Sequence, residues 1–191
     1  QAVRALGFTS ARHGPRHGAA VEERLMSAAN PRSLVELQEE ACRTHAERPL
    51  FGTTVGTEYQ WTSYRKFAER VDAFRAALAA LGVGRDSKVA VISDNRVEWA
   101  IGAYATYGLG AQYVPMYEAQ DPKDWAYIVR DSGACVLLLG DPRLRELTAH
   151  LPAEIATLRH RICFGAPPDC EDSFHKHLDI GARHPVPTAS L

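Results

Sequence analysis

Between Asp86 and Gly140, three short apolar runs alternate with two segments that carry helix-capping residues, and this order leaves few folds open. The runs are Lys88-Val-Ala-Val-Ile-Ser93, Gln112-Tyr-Val-Pro-Met116 and Ala134-Cys-Val-Leu-Leu-Leu-Gly140. Each is too short for a helix and rich in the Val and Leu that fill strands covered on both faces of a sheet. After the first run, Asn95 is expected to cap a helix that carries Glu98 three residues on. That helix runs through Trp99, Ile101 and Tyr104 to Gly108, with Gly110 as a left-handed stop. After the second run, Asp121-Pro122 supplies a capping carboxylate and a first-turn proline ahead of Trp125, Ile128 and Val129, and Ser132-Gly133 ends the helix. Strand, helix, strand, helix, strand at this spacing requires right-handed crossovers with helices covering the sheet. The expected fold is α/β: a doubly wound, mostly parallel sheet with helices on both faces.

The flanking sequence extends the pattern. Ser33-Leu-Val-Glu36 reads as a capping box opening a helix through Leu37, Ala41 and Cys42 that ends before Pro49. Leu50 to Val55 and Glu58 to Thr62 surround Gly56-Thr57 and predict a small antiparallel hairpin near residues 50–62. Ser63 then caps the strongest helix, in which Tyr64, Phe67, Val71, Phe74, Leu78 and Leu81 recur at spacings of three and four before Gly82. Such an apolar face must dock on a sheet, and the strand from Lys88 is its neighbour. Asp141-Pro142 predicts a further helix through Leu144 and Leu147, and Arg159 to Phe164 a fourth parallel strand. A short helix falls near Asp172 to Leu178, and Pro185 and Pro187 mark the end of the chain as loop. The expected division is a flexible lead-in over 1–30, an α/β unit over 31–168 and a linker over 169–191.

At 191 residues the chain has room for one substantial core. A net charge of −1 gives no electrostatic footprint for nucleic acid. The longest apolar windows fall short of the roughly 18 to 20 residues that span a bilayer, so membrane contact would be peripheral. Cys42, Cys135, Cys163 and Cys170 show no Cys-x-x-Cys spacing and read as reduced, mostly buried thiols. His175 and His177 are two apart, which on a helix places them on different faces, so no metal site is expected there. Gln1 to Ala20 contains Arg4, Arg12 and Arg16 with no acidic residue, a composition shared by organellar transit peptides and by plain flexible lead-ins. The chain does not otherwise specify a compartment.

Two glycine motifs are decoys. Gly52-Thr-Thr-Val-Gly56 has the composition of a phosphate cradle but sits in a predicted hairpin, with no helix and no Lys after it. Gly108-Leu-Gly110 follows a helix and precedes a strand, the reverse of the dinucleotide-binding order, and Tyr113 stands where a third glycine is needed. No nucleophile elbow, Walker loop or zinc-protease pair occurs. Ligands in such sheets favour the crevice beyond the carboxyl ends of the strands, which points to Ser93-Asp94-Asn95, Tyr117-Glu118 and Asp141. The substrate-crevice candidates are Asn95, Arg96, Glu98, Tyr117 and Glu118; no catalytic, cofactor-binding or metal-ligating residue is assigned.

Tyr59-Gln-Trp-Thr-Ser-Tyr64, the helix ending Ala80-Leu-Gly-Val-Gly84, the strand from Lys88 to Ser93 and Asn95-Arg-Val-Glu-Trp99 follow one another in a distinctive order. Val114-Pro-Met-Tyr117, Glu118-Ala-Gln120, Trp125-Ala-Tyr-Ile-Val129 and Asp131-Ser-Gly133 continue it. The ordered set resembles the N-terminal region of AMP-forming adenylating enzymes, and within them the long-chain fatty acyl-CoA synthetases. The resemblance implies that this is an incomplete N-terminal part of the large domain of such an enzyme. The parent would use ATP, magnesium and coenzyme A to turn a fatty acid into an acyl-adenylate and then a thioester. In that family the Ser-Gly-Thr-Thr-Gly phosphate loop follows a stretch resembling Phe174 to Leu191, so this chain alone is expected to lack ligase activity and to bind none of these cofactors. Other readings are an acyl-AMP ligase that loads a carrier protein and a non-catalytic truncated paralogue acting as a binding module. A truncated sheet would leave an edge strand and apolar surface uncovered, so self-association of the isolated chain is also expected.

Overall fold

In the computed structural model, residues 31–189 are described; the expected lead-in over 1–30 lies outside them. Backbone contacts divide the chain into Gln1–Arg32 and Ser33–Leu191, and the elements of the second unit are as follows. Its helices are α1 (Leu34–Thr44), α2 (Tyr64–Ala80), α3 (Val97–Tyr107), α4 (Pro122–Ser132), α5 (Pro142–Leu147), α6 (Leu151–Glu154) and α7 (Phe174–Gly181). Its strands are β1 (Pro49–Val55), β2 (Glu58–Ser63), β3 (Lys88–Ile92), β4 (Gln112–Met116), β5 (Val136–Leu139) and β6 (His160–Cys163).

Local side-chain chemistry starts most of these helices. The hydroxyls of Ser33 and Ser63 accept from the amides of Glu36 and Lys66, and the carboxylates of Asp121 and Asp141 accept from those of Lys123 and Leu144. Each satisfies a helix donor that has no partner within the helix. Gly133 closes α4 at φ 69°, and Gly110 turns the chain into β4 at φ 67°. Both angles are in the left-handed region that glycine enters without a Cβ clash.

β1 and β2 pair antiparallel as a separate hairpin, and the other four strands form a sheet in the order β4-β3-β5-β6. Every pairing in that sheet is parallel; Val89 lies beside Tyr113 and Val136, and Ile92 beside Met116 and Leu139. The alternation of side chains along the strands divides the core in two. Val89, Val91, Val136, Leu138 and Ile162 face a layer built from α2, α3 and α7, while Ala90, Ile92, Leu137, Leu139 and Cys163 face α4, α5 and α6. The sheet is therefore covered on both faces, as the apolar runs required.

Of the six periodic residues, Phe67, Val71, Phe74 and Leu78 of α2 are fully buried, and Tyr64 at its start and Leu81 just past its end lie at the margin of the core. Burying those four contributes on the order of 10 kcal/mol gross at about 1.5 to 3 kcal/mol each. Residues 169–191, expected as linker, contain α7, whose Phe174 is completely buried between Phe74 and Phe164 at ring-centroid distances of 4.7 and 5.1 Å. All four cysteines are free thiols; Cys42, Cys135 and Cys163 are buried and Cys170 half-buried. Burial pushes the Cys42 and Cys163 thiols above their ordinary pKa, which keeps them protonated and unreactive. Among the described residues no helix is long and apolar enough to cross a membrane.

Candidate functional site

The carboxyl ends of β3, β4 and β5 meet at the point where the chain's winding reverses. β3 leads through α3 to β4 on one side, and β4 returns through α4 to β5 on the other, so β3 and β5 flank the topological switch point. All five candidates, Asn95, Arg96, Glu98, Tyr117 and Glu118, lie in the loops or first helical turn that follow these strands.

The crevice between β3 and β5 is filled from within. Glu118, just after β4, accepts a hydrogen bond from the Asp94 amide at 2.9 Å, and its other oxygen lies 3.7 Å from the Arg143 guanidinium. The same carboxylate approaches Gly140 so closely that a Cβ there would stand 2.8 Å from it and 3.1 Å from the Ser93 hydroxyl. Gly140 thus allows a side chain from the β4 loop to cross over the end of β5. On the other side of that glycine, the Arg96 guanidinium donates to the Gly140 carbonyl. It also lies 3.3 Å from Glu98 and 6.0 Å from the centre of the Phe164 ring. Glu98 in turn meets Arg70 of α2 at 3.4 Å. The two carboxylates are therefore matched by three guanidinium groups, an arrangement that fixes three loops relative to one another.

Asn95 does not take the capping position. α3 begins at Val97 with Arg96 as its extended cap residue, and no side chain caps it. The Arg96 carbonyl accepts the first helical bond from the Ala100 amide, while the long-range contacts of its guanidinium hold the side chain toward Gly140. Asn95 is left exposed between two cavities. One, of about 440 Å³, is lined by Ser93, Asp94, Asn95, Trp99, Pro115, Met116 and Tyr117. The other, of about 640 Å³, lies between Phe51 to Thr54 of the hairpin and Asp94 to Ala100. Both are of the size that holds small molecules. Arg96 and Glu98 face the larger and Tyr117, 79% exposed, the smaller.

Two residues that line the smaller cavity, Trp99 and Tyr117, are held by partners behind it. The Trp99 and Tyr113 rings pack edge to face at 5.4 Å, and the Tyr113 hydroxyl donates to the Trp99 carbonyl at 3.1 Å. Burial pushes that phenol well above its ordinary pKa, so it stays protonated and keeps donating. Below it, Trp125 donates its indole N–H to the Tyr117 carbonyl at 2.9 Å and fixes the loop that carries Tyr117 and Glu118. The Gly52-Thr-Thr-Val-Gly56 run lies in β1 and its turn; Gly52 pairs with Trp61, Thr53 with Gln60 and Thr54 with Tyr59, and the Trp61 ring stands 3.1 Å from where Gly52 would carry a Cβ. The run is extended along β1 and no helix starts after its turn, so it lacks the loop-then-helix form of a phosphate cradle. Among the described residues no three His, Cys, Asp or Glu side chains cluster as metal ligands.

Sequence reasoning did not find Asp94, Arg70, Arg143 or Gly140 as partners of these candidates. Their contacts span 24 to 44 residues of chain, and no local pattern signals them.

Residues 38–180 match the AMP-binding enzyme family. The chain belongs to that family. It is 31% identical over 91 residues to long-chain-fatty-acid–CoA ligase 6 of Mus musculus, an alignment covering 47% of this chain and 13% of the ligase. It is 34% identical over 95 residues to the long-chain-fatty-acid–CoA ligase FadD15 of Mycobacterium bovis, covering 48% and 16%. In fold it matches a long-chain-fatty-acid–CoA ligase from Archaeoglobus fulgidus with a TM-score of 0.71 at 16% identity, over 85% of this chain and 32% of that one. The matched region thus represents a small part of the length of these relatives.

Proposed function

We propose that this chain is the N-terminal portion of a long-chain fatty acid–CoA ligase, which converts ATP, a fatty acid and coenzyme A into acyl-CoA, AMP and pyrophosphate. The observation that carries this reading is the 34% identity to a long-chain ligase over 95 residues, within a family match that spans most of the chain. ATP, magnesium and coenzyme A would serve the parent enzyme. The phosphate-binding, adenylating and thioester-forming groups would come from sequence outside these residues.

What this chain supplies to the parent is a rigid platform. The clamp of Glu118, Arg96 and Gly140 holds the loops after β3, β4 and β5, and Asn95 and Tyr117 stand at the cavities these loops border. By itself the platform lacks a triphosphate cradle, so the isolated chain is inactive. Isothermal titration of magnesium-ATP and of a palmitoyl-adenylate analogue into the purified chain is expected to show no saturable binding. Saturable binding of either would place a complete nucleotide site within these residues and refute the division of labour. The exposed rings of Tyr59, Trp61 and Tyr117 also support self-association of the isolated chain at high concentration.

A further inference from the structure

The amino ends of β3, β5 and β6, at the opposite end of the sheet from the candidate site, border a further open cavity of about 330 Å³. Its walls include Asp86, Ser87 and Lys88 at the entry to β3, Cys135 just before β5, and Thr157 and Arg159 just before β6. The ladder sets their order. The Lys88 carbonyl accepts from the Cys135 amide at 2.9 Å, and the Cys135 carbonyl accepts from the Arg159 amide at 3.0 Å. Lys88 and Arg159 therefore flank Cys135, their Cα atoms about 10 Å apart, or two strand spacings.

Two cations at this cavity lack a counter-ion. Among the described residues neither the Lys88 ammonium nor the Arg159 guanidinium has a hydrogen-bond or ion-pair partner. Both terminal guanidinium nitrogens of Arg159 lie 4.0 Å from where Gly82 would carry a Cβ. The side chain thus extends from the start of β6 toward the connection between α2 and β3, which holds Asp86 and Ser87. Its charge is felt nearby: His160 is pushed below its ordinary pKa, first by burial and then by the positive charges of Arg159 and His177. The Ser87 oxygen accepts from the Gly84 amide at 3.1 Å, which leaves its own proton to donate. The Thr157 hydroxyl is likewise uncommitted. Two cations and two hydroxyls form a donor set suited to a tetrahedral oxyanion.

One acceptor stands among these donors. Asp86 is the one non-glycine residue with a left-handed backbone among the described residues, at φ 67°, a conformation that L-residues hold at a cost. Its carboxylate has no cationic partner. A carboxylate at an anion site accepts from a protonated oxygen and repels a fully ionised one. Near neutral pH inorganic phosphate keeps at least one P–OH, whereas sulfate keeps none.

We propose that this cavity binds inorganic phosphate, with Lys88, Arg159 and the two hydroxyls donating to its ionised oxygens and Asp86 accepting from its P–OH. The phosphates of magnesium-ATP are ionised and metal-bound, so the same carboxylate turns them away.

Isothermal titration of the 191-residue chain at constant ionic strength tests the site. Sodium phosphate should bind saturably at millimolar concentration, and sodium sulfate should not. Arg159→Gln and Lys88→Gln should each weaken phosphate binding about tenfold or more, the loss of one charge-assisted hydrogen bond. Lys123→Gln removes an exposed cation from α4 and should change nothing. Asp86→Asn keeps a side chain that tolerates the left-handed backbone and should admit sulfate. Unchanged melting temperatures show that these losses are local. Absence of saturable phosphate binding, or equal binding of sulfate by the unaltered chain, would overturn the proposal. Undiminished phosphate binding by both Gln variants would also overturn it, by placing the ion elsewhere. Glycerol 3-phosphate is the remaining arm: binding as tight as that of phosphate would assign the site to a phosphate monoester and overturn the assignment to the free ion. None of these outcomes bears on the ligase reading, which palmitate-dependent release of AMP tests separately.

Discussion

Phe174→Ala should destabilise the chain by about 3 to 5 kcal/mol, the cost of emptying a fully buried aromatic site. The ring is completely inaccessible, packs on Phe74 and Phe164, and carries the Arg70 guanidinium 5.8 Å above its face. A loss of that size lowers the melting temperature by on the order of 10 °C in a chain of this length. Urea denaturation followed by tryptophan fluorescence measures it. The result decides what residues 169–191 do: if they were a linker laid over a finished domain, the substitution would cost no more than about 0.5 kcal/mol, the range of surface changes.

Gly181→Ala should be nearly as damaging through a different mechanism. A Cβ at this position would stand 1.9 Å from the Ala73 carbonyl oxygen and 2.9 Å from the Ala77 amide nitrogen. Those atoms belong to the backbone of α2, so α7 must lift away from that helix, and overpacking of this kind costs about 3 kcal/mol. Gly84→Ala is the control, because nothing lies within 4 Å of its Cβ position. Thermal melts should separate the two variants by several degrees. Equal melting temperatures would mean that α7 does not pack on α2 as described.

The helix starts were legible where one side chain and one nearby amide decide the matter. Ser33, Ser63, Asp121 and Asp141 each cap a helix from two or three residues away. The two central strands were legible because strands buried on both faces are almost wholly apolar, a signal that survives even in four residues such as Val136–Leu139. Asn95 was misassigned as a cap because the structure there is set by distant groups: Arg96 reaches a carbonyl 44 residues away and Glu118 an amide 24 residues away. The packing of α7 left little trace for a similar reason. Only Phe174, Leu178 and Ile180 are large apolar residues in its eight positions, too few to show a period, and its partners Phe74 and Phe164 belong to other elements. The candidate residues were gathered at one end of the sheet by a rule about strand ends. That rule selects the carboxyl end of the sheet without showing that Glu118 crosses over the end of β5 there.

Whether these residues belong to an enzyme that activates long-chain fatty acids is decided by one assay. The full-length gene product should release AMP and pyrophosphate from magnesium-ATP in the presence of palmitate, and form palmitoyl-CoA when coenzyme A is added. Release of AMP with amino acids or short acids and none with palmitate would contradict the claim while leaving the family and the fold in place.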